Sequence, residues 1–237
     1  MTQKQRKSKG YLLPVVLLIG SAILFALSLH NLRSLRPAYA GRDGTVLVID
    51  PGHGGLDGGA IALNGAKESD INLAIAWKLQ KIAAFMGQTT AMTREDDRDR
   101  TDIQSYSEHE DLVRRTDFIN GVPGGILISI HQNCYPSSQP SGAQVLYAKG
   151  EGSRLLGELT HQNILLSLQP GNRRVAEPAP ERLYITSHVT CPAILVECGF
   201  LSNYSDVDKL TNDRYQTSLA AVMMASFFQF LSQNSRF

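Results

Sequence analysis

The chain has 237 residues, 43% of them hydrophobic and 19% charged, so composition excludes a disordered protein. A net charge of +1, with no Lys/Arg run outside the extreme N-terminus, removes the electrostatic case for nucleic acid as a partner. Of three cysteines, Cys191 and Cys198 flank an extended run that holds their Cα atoms about 23 Å apart, beyond disulfide reach; Cys134 is free to pair with either, and all three read more simply as small buried hydrophobes. In chain order, residues 1–10 carry Lys4, Arg6, Lys7 and Lys9 and read as a cytoplasmic N-terminus. Residues 11–30, uncharged from Tyr11 to Leu29, are long enough to span a bilayer at 1.5 Å per residue. Positive charge is heavier before this run than after it (Arg33, Arg36), which keeps the N-terminus inside and sends the remainder out of the cytoplasm. Ala38-Tyr39-Ala40 has the small-residue pattern of a signal-peptidase site, so a cleaved signal is the alternative; the length of the run and the two arginines favour an uncleaved anchor.

Residues 31–44 read as a polar linker, and 45–237 as one domain of roughly 190 residues, enough for a full core. Thr45 to Asp50 is a continuous β-branched run, a buried strand ending at Pro51-Gly52. The glycine-dense loop to Ala60 must turn sharply or approach something closely. Ser69 or Asp70 can cap a helix with Ile71, Ala74, Ile75, Leu79 and Ile82 on its apolar face, stopped near Gly87. A short strand (89–93) precedes a charged stretch from Arg94 to Asp111, too polar for the core. A helix over 112–119 then ends in the Gly/Pro cluster 121–125. Ile126 to Ile130 is a second buried strand, 143–147 a strand nearer an edge, 151–168 a helix and 169–182 a loop. Ala193 to Val196 is a third buried strand, and a helix over 213–231 closes the domain. This alternation predicts an α/β fold with a mostly parallel or mixed central sheet covered by helices on both faces.

Three polar residues stand where apolar strands stop: His53, His131 and Glu197. Open α/β sheets place their sites at the carboxyl ends of strands, so these side chains converge. Glu68, at the start of the first helix, is swung back to the same edge by the glycine loop. Two imidazoles and one carboxylate make a set typical of catalytic zinc, with one position left for water, and Glu197 beside it can handle protons. Each residue alone has a plainer reading. A lone histidine is more often packed or exposed, and Glu68 could simply favour the helix dipole. His30, His109 and His161 carry no signal, and His188 is a weak candidate. A charge closing an apolar run, as Glu197 does, needs a partner or a cleft.

The segment Val48-Ile49-Asp50-Pro51-Gly52-His53-Gly54-Gly55 resembles the opening signature of the zinc-dependent N-acetylmuramoyl-L-alanine amidases. Lys67-Glu68 with Asn72-Leu73, Thr93-Arg94, Ser129 to Asn133 and Val196 to Asn203 follow in that family's order, from about Val46 to the C-terminus. The resemblance implies zinc held by His53, Glu68 and His131, and Glu197 as the catalytic carboxylate. It implies structural or electrostatic roles for Arg94 and Arg115, and Asn133 and Asn203 as residues shaping the site. Within the family, the insertion leading to Tyr106-Ser107 and Asp111-Leu112, and Ser141-Gly142-Ala143-Gln144, are most similar to the germination-specific amidases that act on spore cortex. That likeness implies removal of stem peptides from muramic acid, a step toward muramic δ-lactam. It implies peptidoglycan as substrate, a membrane tie through the N-terminal segment, an accessory sporulation lipoprotein as a further partner, and a place outside the cytoplasm at the forespore or spore envelope. The alternatives are a housekeeping amidase of cell separation, a zinc peptidase cutting within the stem peptide, and a tethered wall-binding protein without activity.

Overall fold

A computed structural model describes residues 44–97 and 107–234. The expected cytoplasmic segment, anchor, signal-peptidase pattern and all but the last residue of the linker lie outside the described residues, as does Tyr106. Among the described residues no helix is long and apolar enough to cross a membrane.

The β-branched run forms β1 (Val46–Pro51), and the apolar stripe from Ile71 to Ala83 winds into α1 (Glu68–Phe85). There follow β2 (Thr90–Met92), α2 (Glu108–Asn120), β3 (Gly125–Asn133), β4 (Gln144–Tyr147), α3 (Glu151–Ser167), β5 (Glu177–Pro178), α4 (Tyr184–His188), β6 (Ala193–Phe200), α5 (Tyr204–Leu210) and α6 (Asp213–Gln233). The strands make one six-stranded sheet in the order β2-β1-β3-β6-β4-β5. Only the β4–β6 pair is antiparallel, so the sheet is mixed. Its edges are strands of three and two residues, the second ending in Pro178, which leaves little edge to pair with another chain.

Helices α1, α3 and α6 cover one face. There Leu47, Ile49, Ile126, Ile128, Ile130, Ile194 and Val196 meet Ile75, Leu79, Leu156, Met223, Phe227 and Phe230 in the main core. The opposite face carries α2 and α4 over a smaller cluster of Val48, Ile119, Leu127, Ala148, Ile185 and Ala193.

Several boundaries differ from the sequence-based expectation. Helix α1 starts at Glu68, ahead of Ser69 and Asp70, and has no side-chain cap. Its first amides are taken by the glycine loop: Glu68 N–H donates to the Ala60 carbonyl and Ser69 N–H to that of Gly58. Helix α2 extends into the charged stretch because the Ser107 hydroxyl accepts from the Glu110 amide and caps it. Strands β3 and β6 run past their apolar stretches, so His131 and Glu197 lie within strands, in register with each other.

Candidate metal and catalytic centre

The register that joins β1, β3 and β6 decides which side chains meet. On the α2/α4 face, Asp50, Ser129 and Leu195 form one row, and His131 and Glu197 form the next toward the carboxyl edge. A cavity of about 300 Å³ opens over these rows, walled by Glu108, Asp111 and Leu112 of α2 and by Arg182–Thr186 around the start of α4.

His53 enters from the glycine loop in a left-handed backbone conformation (φ 60°), the sole described non-glycine residue there with positive φ. That conformation is strained for a residue with a Cβ, so the surroundings must impose it. Two buried arginines do so. Arg115 donates to the carbonyls of Pro51 and His53, at 2.9 and 2.5 Å. Arg94 donates to those of Pro51, Gly52 and Ser69, at 2.9, 3.0 and 2.9 Å. Both therefore act through the backbone of the loop, the structural role expected for them. Gly52 is needed for close approach, since a Cβ there would stand 2.2 Å from the His131 ring. Gly59 (φ 64°) combines the left-handed backbone with a Cβ position 2.9 Å from Glu68 and His53.

Beneath the loop, Asp50 is fully buried and pairs with Arg115 at 3.1 Å. Burial alone would raise its carboxyl, but Arg115 and the hydroxyls of Thr93 and Ser129 outweigh this and hold it below the usual carboxylate range.

Three of the expected site residues converge. Ligand-capable atoms of His53, Glu68 and His131 all lie within 4.8 Å of one another. Glu68 Oε1 is 3.3 Å from His53 Nε2 and 3.2 Å from His131 Nδ1. Its other oxygen accepts from the Ala60 amide at 3.1 Å. Asp57 Oδ2 holds His53 Nδ1 at 2.7 Å, which fixes the tautomer that leaves Nε2 facing the cluster. Burial would lower the His53 pKa, but its bonds to Asp57 and Glu68 prevail and raise it to about 10. Burial would likewise raise Glu68, yet the hydrogen bonds from His131 and His53 hold it well below the carboxylate range. The cluster thus favours positive charge at its centre. Two imidazoles and a carboxylate, one imidazole oriented by a further carboxylate, fit a divalent ion of zinc's preference.

Glu197 differs in kind. Burial pushes its pKa up to about 7, against the pull of His131, and its Oε2 is buried with no hydrogen-bond partner. A carboxyl poised near neutrality on a residue that lines the cavity is suited to taking and giving a proton. Cys198, next in the chain, points to the other face, is buried, and has its thiol pushed up to about 12 by burial.

Asn133 and Asn203 do not line the cavity, contrary to the site-shaping role expected of them. Asn203 caps α5 by accepting from Asp206 N–H, and the Asn133 carbonyl accepts from Leu201 N–H. His188 is not among the converging ligand-capable residues and stacks on Tyr184. Sequence reasoning missed Asp57 and Asp50. The signal for Asp50 was the one that marked Glu197, a charge closing an apolar run. For Asp57 it was the four-residue spacing from His53.

A family model described as N-acetylmuramoyl-L-alanine amidase matches residues 47–227. The germination-specific N-acetylmuramoyl-L-alanine amidase of Bacillus subtilis is 31% identical over 238 residues, covering 98% of this chain and 97% of that one. Among solved structures, the CwlD amidase from Clostridioides difficile, in complex with the GerS lipoprotein, superposes with a TM-score of 0.75 at 29% identity, over 80% of this chain and all of that one. The amidase AmiC2 of Nostoc punctiforme gives 0.69 at 28% identity, over 81% of this chain and 99% of that one.

Proposed function

The chain belongs to the N-acetylmuramoyl-L-alanine amidase family, and from that premise we propose a zinc-dependent enzyme that removes stem peptides from spore-cortex peptidoglycan. It is a cell-wall amidase: the bond cut joins N-acetylmuramic acid to L-alanine. The observation that carries the zinc reading is the meeting of His53, Glu68 and His131, with Glu197 in register beside His131.

In this reading His53 through Nε2, His131 through Nδ1 and Glu68 hold the ion. When bound, zinc supplies Lewis acidity at the scissile carbonyl. The Arg94 and Arg115 clamp and Asp57 keep His53 in the orientation this requires. Glu197 takes a proton from the attacking water and returns it to the departing alanine nitrogen, which cannot leave as an anion. Leu195, Leu183 and Ile185 give the cavity apolar wall beside these polar groups.

The cortex assignment is supported by similarity over nearly the full length of a germination-specific relative. An accessory sporulation lipoprotein is proposed as partner; its support is that the solved CwlD relative is in complex with the GerS lipoprotein. Residues 11–30 would tether the enzyme outside the cytoplasm as an uncleaved anchor.

Full-length protein incubated with purified peptidoglycan, with zinc and after chelation, provides the test by mass spectrometry. New L-alanine amino termini on intact glycan, lost on chelation and restored by zinc, are expected. Cuts between stem residues, or turnover that survives chelation, would sink the zinc-amidase reading. Deleting the gene in its host should remove muramic δ-lactam from spores while cell separation stays normal; chained cells with an unaltered cortex would instead indicate a housekeeping role.

A further inference from the structure

The row of side chains at the carboxyl edge does not stop at Glu197. Strand β4 runs antiparallel to β6 with Gln144 opposite Glu197, so Gln144 extends the row on the flank away from His131. Gln144 Oε1 accepts from Arg174 Nη1 at 3.3 Å, and its Nε2 donates to Glu177 at 3.1 Å.

Arg174 is held for a purpose its own contacts do not use. Its backbone N–H donates to the Asn172 side chain at 3.0 Å, and Asn172 in turn donates to the Ala143 carbonyl at 2.8 Å. Its carbonyl is bonded by Nε2 of the buried His161 at 2.7 Å. The guanidinium lies 4.8 Å over the Phe200 ring and reaches the Ser141 carbonyl through Nε at 3.4 Å. None of these partners is a carboxylate. Among the described residues Arg174 has no carboxylate partner, and Nη2 makes no hydrogen bond. A half-buried, pre-positioned guanidinium with an open donor edge is suited to a planar anion.

We propose that Arg174, docked on Gln144, receives a carboxylate carried by the second residue of the peptide that leaves with L-alanine. This rests on the amidase reading and deepens it, because it makes the charge of the stem peptide a determinant of specificity. The reach is suitable. Adjacent strands are about 4.8 Å apart, and two extended peptide residues cover about 6.6 Å. A peptide leaving Glu197 across β4 therefore brings its second residue to Arg174. In peptidoglycan that residue is a glutamate joined through its side chain, so its α-carboxyl is free or amidated.

The test compares kcat/KM of the full-length enzyme on two muropeptides that differ only in carboxylate or carboxamide at that residue. Wild type should prefer the carboxylate by about tenfold or more, the scale of one charge-assisted hydrogen bond. Arg174→Gln should lose that preference through KM, with the carboxamide substrate changed less than about threefold. Arg174→Lys should restore part of the preference, keeping charge without the fork. Glu177→Gln, which removes a nearby negative charge, should lower KM for the carboxylate. A wild type that cleaves both substrates equally well, or an Arg174→Gln variant that slows both alike, overturns the proposal. Cleavage of neither substrate by wild type would instead overturn the amidase reading itself.

Discussion

On the α1/α3/α6 face of the sheet, Leu47, Ile49, Ile126, Ile128, Ile130, Ile194, Val196 and Cys198 stay apolar along the length of their strands and are buried in one core. On the α2/α4 face the same strands begin with Val48, Leu127 and Ala193 and end with Asp50, Ser129, His131 and Glu197. The two-residue period of a strand makes both designs available to one stretch of sequence. Hydrophobic burial on the first face stabilises a backbone on which the second face can hold costly groups: an ion pair out of water, a strained histidine and a carboxyl with one buried oxygen that has no hydrogen bond among the described residues. The division predicts that substitutions on the core face mainly cost stability, and those at the rim of the other face mainly cost chemistry.

The sharpest challenge to that division is the Asp50–Arg115 pair, which lies on the site face and is buried like core. Arg115→Met leaves Asp50 charged and unpaired, so a loss of about 3–5 kcal/mol of folding stability is expected in denaturant unfolding. It should also free the His53 carbonyl and weaken metal binding. A stable Arg115→Met chain with unchanged metal affinity would show that the pair supports neither fold nor site.

On the core face, Ile128→Ala is the matching control. Ile128 is fully buried between β1 and β6, and its truncation should cost about 2–5 kcal/mol with kcat per folded molecule unchanged. A selective loss of kcat would mean that the two faces are coupled.

Asp57→Asn should spare stability and weaken zinc binding by about 10–100-fold, the usual effect of losing a carboxylate that orients a ligating histidine. Competition with a calibrated chelator measures it. Unchanged affinity would leave Asp57 as a loop residue only.

The smallest effect is read by titration. In the metal-free chain a carbon-labelled Glu197 carboxyl should titrate near 7 because burial disfavours its charged form. A cation added at the cluster favours the carboxylate, so zinc should move that value down. A metal-free value near 4.5 would mean that water reaches Glu197 freely.

Much of this arrangement was legible in the sequence because each long strand announces itself by an apolar run, and three of the four site residues stand where such a run stops, while Glu68 opens the helix after the glycine loop. His53, His131 and Glu197 needed only the rule that such ends converge. The register that sets His131 beside Glu197 was not legible, since it depends on pairing between strands more than 60 residues apart. The start of α1 was missed because its cap is supplied by carbonyls of the folded glycine loop, whereas Ser69 and Asp70 offered the local signal. The five-residue α4 and seven-residue α5 are too short to show a helical period, yet α4 walls the cavity. Asp57 and the arginine clamp act on backbone geometry that exists only after the loop has closed.

Zinc content measured beside turnover, in His131→Ala and Glu197→Gln, tests the central claim most directly. Wild type should carry about one zinc per chain, bound by the three-residue set. Glu197→Gln should keep that zinc and its fold while losing about 10²–10⁴-fold in turnover. His131→Ala should lose metal and turnover together. Full zinc occupancy in His131→Ala, or Glu197→Gln activity within about threefold of wild type, would contradict the separation of metal-holding from proton-transferring residues.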